Sequence, residues 1–319
     1  MMKKIIVIVP YFGQLPSFYY MWEKSVLYNN TINFVLITDD LNVSSKENLQ
    51  IIHMLFDDYK KRIQDKFLFE INLNKPYKLC DLKPAIGYCF PEIIEGYDFW
   101  GYCDLDLTFG DIRKFITNEV LNRYEKIFVT AHFSLYKNEE KMIKLFMDAG
   151  DFPEYNYEEA FSDKYSCYFD EFRGMELKCL RNNIEVYSCK ETSDYNPSKA
   201  CFFNRNKQQV ILVWDKGNLY EMNKEGVLKE LLYAHYQKRK MDVNNLEYDR
   251  IYIVPGKISG NFSQNNSLFD FKSGYDKGYT YKFKIKKVRK AILTYGIVGL
   301  YKRYKRCAKI EALKKKLTQ

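Results

Sequence analysis

Histidine is scarce in this chain, with three among 319 residues, and its eight cysteines form no CxxC pair. Neither fact suits a zinc module, because His53, His132 and His235 stand in no metal-finger spacing. With no export signal beside them, the cysteines read as reduced thiols that mostly fill core space. The apolar run Ile5–Val9 is too short for the hydrophobic region of a secretory signal and leads straight into a turn. No uninterrupted apolar stretch reaches the roughly 18 residues that a membrane-spanning helix needs. The expected compartment is therefore the cytoplasm. Acid is nearly missing from one place: between Lys282 and Gln319, Glu311 stands alone against 14 Lys or Arg. That segment carries +13, so the chain's formal +9 leaves −4 on everything before it. A nucleic-acid binder would interleave such basic surface with a recognisable reading module, and none occurs, so no nucleic-acid partner is expected. A basic tail on a mildly acidic body suits an anionic lipid surface. Internal repeats are lacking too.

Aromatic rings are abundant, with 28 Tyr and 23 Phe. That content excludes a disordered or fibrous chain and points to a folded α/β protein. Lys3–Val9, Asn33–Thr38, Tyr97–Leu107 and Lys126–Ala131 read as strands. Pro16–Asn29, Ser45–Asp65 and a stretch from Asp81, as N-cap, to Ile94 read as helices. Strands that are continuous apolar runs between helices predict a mostly parallel sheet covered on both faces. Further on, Ile184–Ser188 reads as extended, Val210–Trp214 with Leu219-Tyr220 as a hairpin, Gly226–Met241 as a helix and Ile251–Val254 as a last strand.

Asp104 and Asp106 lie two apart in Tyr102-Cys103-Asp104-Leu105-Asp106. On a strand they project to one side while Cys103 and Leu105 pack behind. Two carboxylates at a strand end can hold Mn2+ or Mg2+, which in turn bridges a diphosphate. On the predicted late helix, His235, Lys238 and Arg239 share a face. An imidazole there can complete the metal shell while the cations neutralise phosphates; alternatively this is an ordinary amphipathic helix end. Tyr11, Asp39 and Asp40 follow the first two strands, where an open α/β sheet binds its ligand. Asp170 and Glu171, adjacent acids among aromatics, are candidate general bases.

The chain also resembles the small bacterial GT-A glycosyltransferases of capsule and lipopolysaccharide gene clusters, a poorly characterised group. The ordered motifs are I-V-I-V-P-Y-F-G, L-I-T-D-D, K-x-x-D-x-K-P-A, G-Y-C-D-L-D and H-Y-Q-K-R-K-M, over about residues 3–255. The resemblance implies that Asp104 and Asp106 bind metal and diphosphate, and that His235 is the late metal ligand. It places Tyr11 with Asp39 or Asp40 at the nucleoside, and Lys78, Asp81 and Lys83 near the donor's ribose and sugar. Retaining relatives usually carry H-x-x-G-x-x-K-P-W where this chain has His235-Tyr-Gln-Lys-Arg-Lys-Met, which leaves the stereochemical course open.

The expected function is transfer of a hexose from a nucleotide-sugar, UDP-linked by preference, to a lipid-linked or surface-polysaccharide glycan. A nucleotidyltransferase is the alternative of the same class, but the loop Pro10–Phe18 lacks the basic residues it would want. A non-catalytic carbohydrate-binding protein is the other. The expected layout is a catalytic domain over 1–255, with a nucleotide-binding half (1–110) and an acceptor half (111–255). A loop follows over 256–280, and a basic amphipathic tail over 281–319. In the tail, Phe283, Ile285 and Val288 sit among cations and Ala291–Leu300 is uncharged. Peripheral attachment to the inner face of the cell membrane is expected, the alternative being a helix that packs Ile292, Leu293, Ile297 and Leu300 on the domain.

Overall fold

The computed structural model describes residues 1–237, 239–261, 268–269 and 277–318. At its centre is a seven-stranded sheet in the order β3-β2-β1-β4-β7-β6-β8. Its strands are β1 (Ile5–Pro10), β2 (Asn33–Thr38), β3 (Leu49–His53), β4 (Phe99–Cys103), β6 (Lys126–Ile127), β7 (Phe133–Lys137) and β8 (Val186–Tyr187). All pairings are parallel except those of β7, which runs against β4 and β6. The continuous apolar runs follow from burial on both faces. Ile6 and Ile8 join Trp100 and Tyr102 in one core, while Ile5, Val7 and Val9 join Phe99 and Cys103 in the other. Period-two alternation therefore sorts residues that are all apolar. On the first face Trp100 stacks on Tyr136 with ring centroids 4.6 Å apart. At Gly101, β4 and β7 approach so closely that a Cβ would lie 2.1 Å from the Ser134 carbonyl oxygen.

A second, largely antiparallel sheet was not foreseen from sequence. It runs β13-β12-β11-β16-β17-β15, with β10 (Phe202–Phe203) beside β11. The expected hairpin is present within it as β11 (Gln209–Asp215) and β12 (Asn218–Asn223), with Trp214 opposite Leu219. The remaining strands are β13 (Leu228–Leu231), β15 (Asp242–Asn244), β16 (Arg250–Val254) and β17 (Lys257–Ser259). Between the two sheets lies a three-stranded one, β5-β14-β9, of β5 (Leu107–Phe109), β14 (Tyr233–His235) and β9 (Thr192–Asp194).

Several expectations need correction. Gly226–Met241 is not a helix: Leu231–Ala234 is a fully buried run, and β14 is clamped between β5 and β9. Leucines at 228, 231 and 232 fit a helical period, but strand partners on both sides decide the matter. Ser45–Asp65 splits into β3, which extends the sheet, and a helix beginning only at Phe56. The strand expected over Tyr97–Leu107 is interrupted at Asp104–Asp106, and Lys126–Ala131 keeps only two strand residues before Phe128 takes a positive φ. Asp81 is not an N-cap but lies fully buried inside its helical turn. The loop expected from Gly256 opens with β17.

The C-terminal helix, Lys277–Leu317, is broken at Gly296, whose φ of 65° and ψ of 167° are non-helical. A positive φ there is tolerated because glycine has no Cβ. Its far end docks on the body, but through other residues than Ile292, Leu293, Ile297 and Leu300. Ile310 is buried in the core that holds Trp100, with Leu313 and Leu317 against it. Arg306 donates to Glu159 and to the carbonyl oxygens of Pro153 and Glu154, and Lys314 pairs with Glu176 at 2.6 Å. Ile285, Val288, Leu293, Ile297 and Tyr304 remain exposed. Among the described residues no helix is long and apolar enough to cross a membrane.

Candidate metal centre

The bend that ends β4 carries Asp104 and Asp106, while Cys103 and Leu105 go into the core behind it. β14 is antiparallel to β5, with His235 opposite Leu107, which brings the imidazole alongside Asp106. The Tyr236 N–H donates to the Asp106 carbonyl at 2.9 Å and fixes this register. One ligand atom each from Asp104, Asp106 and His235 lie within 4.8 Å of one another. His235 Nε2 is 3.3 Å from Asp106 Oδ1. Two hard carboxylate oxygens and an imidazole nitrogen, with Asp106 nearly buried, are a donor set that fits a small divalent cation.

Side chains around the three hold them in place. His235 lies directly opposite Asp194 across the β14–β9 pairing, and its Nδ1 is 2.8 Å from Asp194 Oδ1. With Nδ1 engaged there, Nε2 is the nitrogen left facing Asp106, the arrangement typical of a metal-binding histidine with a carboxylate behind it. Gln237 Nε2 donates to the same Asp194 oxygen at 2.6 Å. His132 stacks on His235 at 4.3 Å between ring centroids, and its Nε2 is 3.0 Å from the Tyr233 hydroxyl. Burial would lower the pKa of His235, but hydrogen bonds and charges from Asp106 and Asp194 outweigh it and carry the value up to about 10. Burial, then the neighbouring His235, push His132 the other way.

Lys83 reaches the centre from the helical turns below it. Its Nζ is 2.5 Å from Asp104 Oδ1 and 2.7 Å from the Ala131 carbonyl oxygen. Burial opposes its charge, but Asp104 and Asp170 together hold it firmly protonated. Asp170 is itself buried, and burial raises its pKa far above the usual carboxylate range against the pull of Lys83. Its Oδ2 has no hydrogen-bond partner among the described residues. Glu171 is also raised, first by burial, and it feels both Asp104 and Asp194. Tyr11 comes close enough that, after burial, the charge of Asp106 raises its hydroxyl.

The other residues singled out from sequence have partners within the chain, where described. Asp39 accepts from the Gly13 N–H at 2.7 Å and Asp40 from the Leu15 N–H at 3.3 Å, so both tie down the loop after β1 that carries Tyr11. Lys78 and Asp81 form a buried ion pair at 2.7 Å. Asp81 also accepts from the N–H groups of Cys167 and Phe169, and Lys78 from its ammonium donates to the carbonyls of Ala160 and Tyr165. This pair therefore positions the segment leading into Asp170. Lys238 lies outside the described residues. Arg239 does not share a helix face with His235; its guanidinium donates at 2.7 Å to the carbonyls of Asn196 and Lys199. Sequence reasoning missed Asp194 and His132. No local signal marks either, since strand pairing alone brings Asp194 to a histidine 41 residues away.

Residues 7–261 match the model of a family described only as a family of unknown function, DUF6625. The chain belongs to that family. No curated protein matches it. Among solved structures it is similar to the crystal structure of the galactosyltransferase LgtC in complex with donor and acceptor sugar analogues. The two are 11% identical, the match covers 74% of this chain and 88% of that one, and the TM-score is 0.32.

Proposed function

We propose that this family member is a metal-dependent glycosyltransferase of the GT-A type. In this reading it moves a hexose from a nucleotide-sugar, UDP-linked by preference, to a lipid-linked or surface-polysaccharide glycan. The observation that carries the reading is the convergence of Asp104, Asp106 and His235 just past the carboxyl end of β4. That edge of a parallel sheet is where α/β proteins bind nucleotides. Bound there, Mn2+ or Mg2+ would supply charge for the donor's two phosphates and for the departing nucleotide.

The chain's own residues would divide the remaining work. Tyr11 would offer a ring to the base, and Asp39, which uses Oδ1 to hold that loop, would offer its other oxygen to ribose or base, while Asp40 spends both oxygens on loop N–H groups. Lys83, buried and held protonated by Asp104 and Asp170, would bind the donor's sugar or its phosphate. Asp170 and Glu171 lie close enough for the charges of Lys83 and Asp104 to act on both. If the configuration inverts, Glu171, only partly buried, would accept the proton of the acceptor hydroxyl, because Asp170 is buried and held in its protonated form; if it is retained, Glu171 would orient the sugar. The exposed apolar residues of the C-terminal helix, with Lys282, Lys284, Lys286, Lys287, Arg289 and Lys290 around them, would meet an anionic membrane surface at the inner face of the cell membrane, a reading supported by their exposure and charge.

A thermal-shift and titration panel of nucleotide-sugars with and without Mn2+ tests the reading. The wild type should bind UDP or a UDP-sugar only with the ion, and Asp106→Asn should lose that binding while keeping its fold. Near-normal Mn2+-dependent UDP affinity in Asp106→Asn would sink the assignment.

A further inference from the structure

Beside the metal centre is a cavity of about 340 Å³. It is lined in part by His132, Thr192, Asp194, Phe203, Asn204 and Arg205. Two of these touch the centre directly: Asp194 holds His235 Nδ1, and the His132 ring lies on the His235 ring. A molecule in the cavity is therefore one side chain away from the position an ion would occupy. The volume is at the small end of ligand pockets, near the lower bound of roughly 300 Å³, which suits one sugar residue better than a whole nucleotide-sugar.

The charges lining the cavity are unequal in availability. Asp194 already accepts from His235 and Gln237. Arg205 makes only long contacts, 3.3 Å to the carbonyl and to the hydroxyl of Thr192, and no carboxylate pairs with it among the described residues. It stands at the tip of a preformed turn, where Asn204 Oδ1 accepts from the N–H groups of Asn206 and Gln208 at 3.0 and 2.9 Å. Thr192 and Thr130 add hydroxyls. The Phe203 ring stacks on no other ring among the described residues, which leaves it as an apolar platform.

We propose that this cavity binds an acidic sugar, a saccharide unit bearing a carboxylate or a phosphate, with the anion on Arg205 and the ring against Phe203. A planar guanidinium pairs with either anion through two parallel hydrogen bonds. On the glycosyltransferase reading, on which this inference rests, the cavity is the acceptor subsite and Arg205 selects an acidic acceptor glycan.

The test uses the full chain and three probes: galacturonate, galactose 6-phosphate and galactose. Saturation-transfer NMR and titration should show one or both acidic sugars binding and the neutral sugar not. The two acidic arms tell carboxylate from phosphate. Arg205→Gln, an exposed substitution, should weaken acidic-sugar binding at least about tenfold, the scale of one lost charge-assisted contact, and leave Mn2+ binding as it was. Asp106→Asn should do the reverse, losing Mn2+ and keeping the acidic sugar. Equal binding of all three sugars, no binding of any, or indifference to Arg205→Gln overturns the proposal. Because Mn2+ and sugar are read separately, loss of the cavity assignment and loss of the metal assignment give different patterns.

Discussion

Without an ion, a proton on His235 offsets part of the negative charge of Asp106 and Asp194. Burial works against that proton, yet the two flanking carboxylates raise the His235 pKa to about 10. A cation that binds through Nε2 must displace it, so metal affinity and pH are linked. With the pKa that high, the competent neutral form grows about tenfold per pH unit, and the apparent Mn2+ affinity should rise roughly 100-fold from about pH 6.5 to about pH 8.5. An imidazole at its ordinary value of about 6.5 would give only about a twofold gain over the same interval. The metal-free protein should show the opposite trend in stability. Its native state binds this proton more tightly than the unfolded chain does, so the stabilisation is fully present below about pH 6.5 and fades as pH climbs towards about 10. Raising the pH should therefore lower the melting temperature of the apoprotein while tightening the ion. Calorimetric titration with MnCl2 across buffers of matched ionisation heat, alongside apoprotein melting curves, reads both. His235→Gln should bind the ion more weakly and lose the steep pH dependence. A flat affinity between those two pH values, or apoprotein stability that rises over the same range, would refute the reasoning.

Asp194→Ala should weaken Mn2+ binding by about 10- to 100-fold, the usual cost of losing the carboxylate behind a metal-bound histidine. Asp194→Asn, which can still accept from Nδ1, should recover part of it in a Mn2+ EPR titration; equal losses would make Asp194 merely structural. Gly101→Ala forces a methyl group onto the Ser134 carbonyl between β4 and β7, three residues before Asp104. Urea unfolding should show a loss of about 1–3 kcal/mol, the range for overpacking a close contact. In the C-terminal helix, replacing Ile285, Leu293 and Ile297 together by Ser should abolish co-sedimentation with anionic liposomes and leave the melting temperature unchanged, because all three are exposed. Truncation before the helix would be a poorer probe, since it uncovers the core around Ile310. Binding that ignores salt, or none by the intact chain, would remove the membrane from the proposal.

The sequence by itself determined β1, β2 and β4 of the central sheet, because these strands are buried on both faces and must read as unbroken apolar runs. It also marked Asp104, Asp106 and His235, since carboxylates two apart at the end of an aromatic strand are costly without a cation or donors nearby. It named His235 on the wrong element. Leu228, Leu231, Leu232 and His235 repeat with a helical period, and nothing local reveals that β5 and β9 will take the segment as a strand between them. The tertiary structure alone decided that Asp194 and His132 support His235, that Lys78 and Asp81 form a buried pair beneath Asp170, and that the tail docks through Ile310 rather than Ile297. Each of these is a contact between distant segments, and its energy depends on which neighbours exclude water from it. A residue's own stretch of chain carries no record of those neighbours.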